Sequence, residues 1–191
     1  MSSSFPLHTI ETAPEESKAQ LQQIAKSFGM LPNLAGVLAE APAALEAYFT
    51  LGRIFDETSF TPTERQIVLL SVSTENGCEY CVAAHTAIAG MQKVPGDVVQ
   101  AIREGNPIAD SKLEALRRLT TAVVTKRGRP DAEELGRFYA AGYGKRQLLE
   151  VIVGVGMKTV SNYVNHVADT PLDAAFQPAA WTRPAAAACV C

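Results

Sequence analysis

Two cysteines and a histidine lie close together in this chain, in the segment Cys78-Glu-Tyr-Cys81-Val-Ala-Ala-His85. On a helix, positions i, i+3 and i+7 follow one face, so these three side chains would point in the same direction. Cys78 would stand at the helix N-terminus, where free amide groups and the helix dipole favour a thiolate. His85 could carry a proton to or from Cys81. Oxidation of one thiol to a sulfenic acid would then allow the pair to form a disulfide.

Two other interpretations fit the same residues. Free cysteines are often buried core residues, and His85 could be a hydrogen-bonded interior histidine. Cys78 and Cys81 with His85 and His166 also provide the residue types of a Cys₂His₂ zinc site, although the two histidines lack the spacing of a zinc finger. The helical spacing favours a redox-active pair over both.

The composition excludes several classes of protein. Hydrophobic residues make up 47% of the 191 residues, and the formal net charge of −3 argues against a general nucleic-acid-binding protein. No secretory signal pattern opens the sequence, and the longest apolar stretch, residues 148–157, is too short to span a bilayer. We therefore expect a cytoplasmic protein without a membrane partner. Its four cysteines do not form a secreted disulfide scaffold, and Cys189 and Cys191 receive no role.

Helix signals recur along the chain, and no convincing hairpin signal is present. Thr61-Pro-Thr-Glu64 is a capping box that opens a buried helix extending to Thr74. Asn76-Gly77 interrupts it, and the cysteine helix is predicted from Cys78 to Ala89, with Gly90 just past its end. A second capping box, Thr12-Ala-Pro-Glu15, predicts a first helix that ends at Gly29. The remaining helices are predicted over residues 42–55, 97–104, 112–126, 131–140 and 145–168, while residues 34–39 are a short apolar segment that follows a break at Pro32-Asn33.

The predicted fold class is all-α, in a single domain over residues 1–176, followed by a tail over 177–191. One internal similarity suggests a duplicated helical unit. Residues 64–85 align without gaps with residues 145–166, and four residues recur: Arg65, Gln66, Val72 and His85 as Arg146, Gln147, Val153 and His166. The second copy has Thr159 and Asn162 in place of the cysteines, so only the first copy would carry the chemistry.

Two stretches of the sequence resemble a known family. Residues 61–73 together with residues 76–85 are similar to the core motif of the alkylhydroperoxidase D-like group, part of the carboxymuconolactone decarboxylase superfamily. Residues 162–173 resemble the peroxidase-related members of that group. The resemblance covers residues 30–176 and implies an all-helical fold, a homo-oligomer such as a trimer or hexamer, and reduction of hydroperoxides without a bound cofactor. The partners implied are a hydroperoxide substrate and an external dithiol reductant.

The resemblance also implies roles for the cysteines. Cys81 would attack the peroxide, and Cys78 would resolve the disulfide, whereas the helix dipole favours Cys78 as the more acidic thiol. The two assignments are compatible if Cys78 exchanges with the reductant while Cys81 reacts with the peroxide.

The chain departs from the family pattern at two positions. Gln66 stands where the family carries a proton-relay glutamate, and an amide cannot act as a base. Glu75, three residues before Cys78, is the expected substitute for that glutamate. An exposed, solvated carboxylate without a catalytic role is an equal alternative for Glu75. Glu64 is not the expected substitute, because its role in the capping box already explains it. Tyr80 replaces a histidine of the best-known peroxidases, and packing in the core or an interface is its expected role.

These observations lead to one principal function and two alternatives. The principal function is a cysteine-dependent hydroperoxide reductase or thiol–disulfide oxidoreductase in antioxidant defence, with Cys78, Cys81, His85 and Glu75 as catalytic residues. A redox sensor or adaptor without fast turnover is the first alternative, because Gln66 has replaced the glutamate. The second is decarboxylation of a muconolactone-like acid, which does not need a cysteine pair.

Overall fold

The computed structural model of the protein describes residues 5–184, and within them every regular element is helical. The elements are α1 (Glu15–Phe28), α2 (Asn33–Leu38), α3 (Pro42–Asp56), α4 (Pro62–Glu75), α5 (Glu79–Met91), α6 (Gly96–Glu104), α7 (Ser111–Thr125), α8 (Ala132–Ala140), α9 (Lys145–Ala168) and a 3₁₀ turn (Ala174–Ala179). The predicted all-α class is confirmed. None of these helices combines the length and the apolar character needed to cross a membrane.

Helix α4 lies at the centre and packs against α5, α6, α7 and α9. It begins at the predicted capping box, in which Thr61 Oγ1 accepts from the Glu64 amide and the Glu64 carboxylate accepts from the Thr61 amide. Glu64 also accepts a hydrogen bond of 2.9 Å from the Tyr143 hydroxyl, which fixes it as a structural residue. Every residue in 66–73 is buried, because neighbouring helices surround this segment.

Helix α9 crosses α3 and α4 at Gly154. A Cβ atom placed there would lie 2.7 Å from Val68 Cγ1 and 2.8 Å from Phe55 Cε2, so only glycine permits this approach. The close contact presses the second half of α9 against the inner faces of α3, α4 and α5. It thereby brings residues 158–165 to the cysteine segment.

The predicted break before the cysteine helix is present. Gly77 has a φ of 66°, in the left-handed region that favours glycine, and Asn76 Nδ2 donates to Asn162 Oδ1 at 2.8 Å. Cys78 is the N-cap of α5, and its amide donates to Ser73 O at 2.9 Å. The turn therefore returns the chain so that α5 packs beside α4.

Two predicted helix ends are wrong. No side chain caps α1, which begins at Glu15, because Thr12 Oγ1 instead accepts from the Thr9 amide at 2.9 Å. Helix α5 does not stop before Gly90 but continues to Met91. Gly90 has helical backbone there, and the left-handed residue that turns the chain is Lys93, with a φ of 58°.

The internal similarity does not extend to local structure. Residues 64–85 form two helices separated by a turn, whereas residues 145–166 lie in the uninterrupted helix α9. Beyond α9, the 3₁₀ turn packs on α5 with Phe176 buried, and the Trp181 indole donates to Arg103 O at 2.9 Å. Cys189 and Cys191 lie outside the described residues.

We expect Gly154→Ala to lower the free energy of unfolding by about 1–3 kcal/mol, because Val68 and Phe55 are too tightly packed to move away from an added methyl group. Gly136→Ala is the matched control, since a Cβ in the middle of α8 meets nothing within 4 Å. It should raise stability by about 0.5–1 kcal/mol through the better helix propensity of alanine. Urea unfolding measures both values, and equal effects of the two substitutions would contradict the close crossing of α9.

Candidate active site

The two cysteine sulfurs lie in a polar pocket made mostly by α9. Both thiols are reduced and buried. Asn165 Nδ2 lies 3.2 Å from Cys81 Sγ and 3.8 Å from Cys78 Sγ, so one amide serves both sulfurs. Ser161 Oγ lies 3.7 Å from Cys81 Sγ. Sequence reasoning missed both α9 residues.

Lys158 is the third α9 residue at this site. Its side chain has no exposure to solvent, and its Nζ has no hydrogen-bond partner of good geometry within residues 5–184. Lys158, Ser161 and Asn165 repeat the i, i+3, i+7 spacing of the cysteine segment, so they form one polar stripe on the buried face of α9, next to the buried Asn162. That stripe is the sequence signal that could have found them.

The electrostatics of the pocket distinguish the two thiols. Burial alone raises the pKa of Cys81, but a hydrogen bond from the Cys78 thiol and the charge of Lys158 outweigh it and hold that pKa well below its ordinary value. The same hydrogen bond, together with burial, raises the pKa of Cys78. Cys81 is therefore the more acidic of the two cysteines, and Cys78 is its hydrogen-bond donor.

The dipole argument for an acidic Cys78 is wrong for a structural reason. Although Cys78 is the N-cap, its side chain makes no capping hydrogen bond to the free amides of α5. Its sulfur instead lies toward Cys81, where it acts as a hydrogen-bond donor.

The pocket favours a charged Lys158 and a neutral His85. Burial alone lowers the pKa of Lys158, but the Cys81 thiolate and the other acidic groups around it raise that pKa above its usual value. Burial, followed by the charge of Lys158, lowers the pKa of His85 well below its ordinary value. The pocket therefore favours an ammonium–thiolate pair of Lys158 and Cys81 beside a neutral imidazole.

Gln66 orients this imidazole. Its Oε1 lies 3.1 Å from His85 Nδ1, and its Nε2 donates to Gln92 Oε1 at 3.1 Å. Because the amide nitrogen faces Gln92, the oxygen accepts from a protonated Nδ1 of the neutral ring. His85 Nε2 is then an acceptor. Gln66 thus contacts the histidine from the position of the family glutamate, although it cannot take up a proton.

The two remaining residues that the sequence analysis discussed make no hydrogen bond to the cysteines or to His85 within residues 5–184. Glu75 is the last residue of α4, half-buried, and within the described chain it makes no hydrogen bond to either cysteine or to His85. Tyr80 is a packing residue, as expected: its hydroxyl donates to Asp173 at 2.5 Å and accepts from the Leu34 amide at 3.2 Å.

A cavity of about 630 Å³ opens beside Cys81. Cys81, His85 and Lys158 contribute to its wall, whereas Cys78 does not. Such a volume suits a small organic molecule. Most of the wall is apolar and includes Leu34, Phe49, Phe55, Leu69, Ile88 and Met157. A molecule in the cavity would thus meet Cys81 first, with Cys78 behind it.

The predicted zinc alternative lacks its ligand set in the part of the chain that is described. Among residues 5–184, no three His, Cys, Asp or Glu side chains form a group that could hold a metal ion. His166 is exposed on α9, while His85 is buried in the cavity wall.

Residues 39–122 match the model of the carboxymuconolactone decarboxylase family. No curated protein sequence matches the chain. The resemblance predicted from the cysteine segment is confirmed by the family match, which includes that segment.

Solved structures share the fold. A protein from Ralstonia eutropha JMP134, described as an alkylhydroperoxidase AhpD core and an uncharacterized peroxidase-related protein, has a TM-score of 0.79 at 16% identity, over 90% of this chain and 93% of that one. A peroxidase-related protein from Silicibacter sp. TM1040 has a TM-score of 0.76 at 17% identity, over 90% of this chain and 91% of that one. A cysteine-to-alanine variant of the debrominase Bmp8, in complex with 2,3,4-tribromopyrrole, has a TM-score of 0.77 at 19% identity, over 94% of this chain and 96% of that one. The alkylhydroperoxidase D-like fold is therefore confirmed.

We expect ultraviolet titration to detect a thiolate that persists well below pH ~8.5, where a free cysteine titrates, and that disappears as the pH falls through the lowered pKa of Cys81. The measurement uses a background with Cys189→Ser and Cys191→Ser. Cys81→Ser should remove this signal, whereas Cys78→Ser should keep it because a serine hydroxyl can donate the same hydrogen bond. A signal that requires Cys78 instead would reverse the assignment.

Proposed function

We propose that this chain, which matches the carboxymuconolactone decarboxylase family over residues 39–122 and has the alkylhydroperoxidase D-like fold, is a cysteine-dependent reductase of organic hydroperoxides. One observation carries the proposal: the Cys81 thiolate faces an apolar cavity while the Cys78 thiol lies behind it, outside the cavity wall. Substrate and resolving thiol therefore approach Cys81 from different sides.

The proposed reaction has three steps. The Cys81 thiolate attacks the terminal oxygen of the hydroperoxide, the O–O bond breaks, and the products are a Cys81 sulfenic acid and an alkoxide that leaves as the alcohol after protonation. The Cys78 thiol then attacks the sulfenic sulfur, which gives the disulfide and water. An external dithiol restores both cysteines by exchange, and Cys78 is the sulfur that it attacks.

His85 binds the hydroperoxide in this scheme. Its neutral ring presents Nε2 as an acceptor, so it can accept a hydrogen bond from the terminal O–H group and direct the terminal oxygen toward Cys81. Glu75 remains a predicted auxiliary base at the end of α4.

A second candidate is reductive dehalogenation of a small halogenated aromatic molecule. The observation that favours it is the apolar, partly aromatic wall beside the thiolate, since planar rings pack well against such surfaces. The two thiols supply the two electrons that replacement of a halogen by hydrogen requires.

We expect the reduced protein to consume cumene hydroperoxide repeatedly in the presence of dithiothreitol, and mass spectrometry to find a disulfide between Cys78 and Cys81 after peroxide alone. Cys81→Ser should abolish consumption, and Cys78→Ser treated with peroxide in the absence of dithiothreitol should complete one turnover and stop at the sulfenic acid. Disulfide formation without turnover would favour the redox sensor. Persistent free thiols would refute thiol redox chemistry, and halide release from 2,3,4-tribromopyrrole would favour the second candidate.

We also propose that the protein is a homo-oligomer that buries the outer face of α9. Four exposed side chains form a stripe there: Leu149, Ile152, Tyr163 and Val167. Leu149 and Tyr163 lie seven residues on either side of the exposed Gly156, so a two-fold axis at this glycine sets Leu149 of each copy against Tyr163 of the other. A second copy is the occupant that this self-complementary pattern fits.

Light scattering should give a multiple of the 20.4 kDa chain mass, and Ile152→Glu should reduce it. The matched control is Ile54→Glu, on α3, because Ile54 is 41% exposed and Ile152 is 49% exposed. A parent protein of single-chain mass at micromolar concentration would contradict the oligomer, and equal effects of both substitutions would contradict the α9 interface.

A further inference from the structure

The reaction proposed above changes the charge that balances the buried Lys158. Its side chain is fully buried, its Nζ has no hydrogen-bond partner of good geometry within the described chain, and it lines the cavity beside Cys81. An isolated buried ammonium is strongly disfavoured, so Lys158 needs an opposite charge nearby. In the reduced protein the Cys81 thiolate provides that charge.

Oxidation of Cys81 removes this negative charge. In the proposed reaction Cys81 ends as a protonated sulfenic acid, which is neutral, and the disulfide with Cys78 is neutral as well. The fully buried ammonium of Lys158 would then lose the counter-charge that the Cys81 thiolate supplied. At the same moment, cleavage of the O–O bond creates an alkoxide in the cavity that Lys158 lines.

We propose that Lys158 is a catalytic acid that donates its proton to the leaving oxygen of the hydroperoxide. This inference rests on the proposed hydroperoxide reductase activity. In the step, the S–O bond forms as the O–O bond breaks, the electron pair of the O–O bond goes to the leaving oxygen, and the Lys158 proton follows it. The products are Cys81 sulfenic acid, the alcohol and a neutral Lys158 amine, so charge and protons balance.

The other groups that face Lys158 are poorer donors. Titratable neighbours are Tyr48 of α3 with Cys78, Cys81 and His85 of α5. His85 is neutral, and its one N–H group binds Gln66. The Cys78 thiol is consumed later, when it attacks the sulfenic acid. Burial itself raises the pKa of Tyr48, and oxidation of Cys81 leaves that cause in place, whereas the pKa of Lys158 is raised mainly by the Cys81 charge that oxidation removes.

The same residue restores the resting state. When the external dithiol attacks Cys78, the Cys81 sulfur leaves as a thiolate, and of the two protons that the dithiol loses, one goes to Cys78 and the other to the neutral Lys158 amine. The ammonium–thiolate pair is thus regenerated. Lys158 therefore carries the proton through the cycle, a task that Gln66 cannot perform.

The experiment compares two peroxides that differ in their need for an acid. The alkoxide that leaves cumene hydroperoxide is strongly basic and requires a proton, whereas the carboxylate that leaves peroxybenzoic acid is stable without one. Single-turnover rates of thiol loss are measured with both, and the rate with the peracid is divided by the rate with the hydroperoxide. The fraction of thiolate affects both rates equally, so it cancels from this ratio.

We expect Lys158→Met to raise the ratio by about 10²–10⁴-fold, the usual contribution of general acid catalysis. Lys158→Arg should also raise it, because a guanidinium keeps the positive charge beside Cys81 but does not give up a proton in proteins. The arginine variant separates proton donation from stabilisation of the thiolate. Lys145→Met, an exposed position at the start of the same helix, is the matched control and should leave the ratio unchanged.

Several results would overturn the inference. An unchanged ratio in Lys158→Met and Lys158→Arg would leave Lys158 with an electrostatic role alone. A raised ratio in Tyr48→Phe with no change in the lysine variants would identify Tyr48 as the acid. Circular dichroism checks that each variant folds, and Lys158→Gln replaces Lys158→Met if the latter does not. If the parent protein reacts with neither peroxide, the hydroperoxide reductase proposal itself fails, which is a distinct outcome.

Discussion

The structure depends on one electrostatic constraint, the burial of a lysine side chain inside a helical bundle. Lys158 has no access to solvent, so its charge must be balanced by groups that the fold supplies. The balancing group is a cysteine on another helix whose own pKa is lowered in return. Neither charge would be tolerated alone at this depth, and the two therefore define each other's chemical state.

The packing of the helices brings Lys158 and Cys81 together. Gly154 lets α9 approach α3 and α4 closely, which places the polar stripe of α9 against the start of α5. The turn at Asn76-Gly77 starts α5 at the depth of that stripe, and Asn76 binds Asn162 of α9 directly. The redox site is thus an interface between two helices that are distant in sequence, and its geometry depends on a close contact made several residues away.

This arrangement explains what the sequence could predict. The capping box at Thr61 and the bounds of α9 depend on local signals, and both agree with the structure. The cysteines and His85 lie within one helix, so their spacing was sufficient to select them. The partners on α9 are about eighty residues further along the chain, as the contact between Cys81 and Ser161 illustrates, and no local pattern specifies such a pairing. The capping box predicted at Thr12 does not form, because Thr12 Oγ1 accepts a local hydrogen bond from the Thr9 amide instead.

The cavity has one wall that does not belong to the helical core. Phe176 comes from the 3₁₀ turn that follows α9, yet it lines the cavity and packs edge-on against Tyr80 at 6.2 Å between ring centroids. Segments outside regular helices diverge faster in evolution than the helices they connect. Selection can therefore alter the size and shape of the molecules admitted by exchanging residues in this turn, while the charged pair and the packing around Gly154 stay the same. The part of the cavity wall that Phe176 forms can thus change independently of the helices that carry the reactive residues.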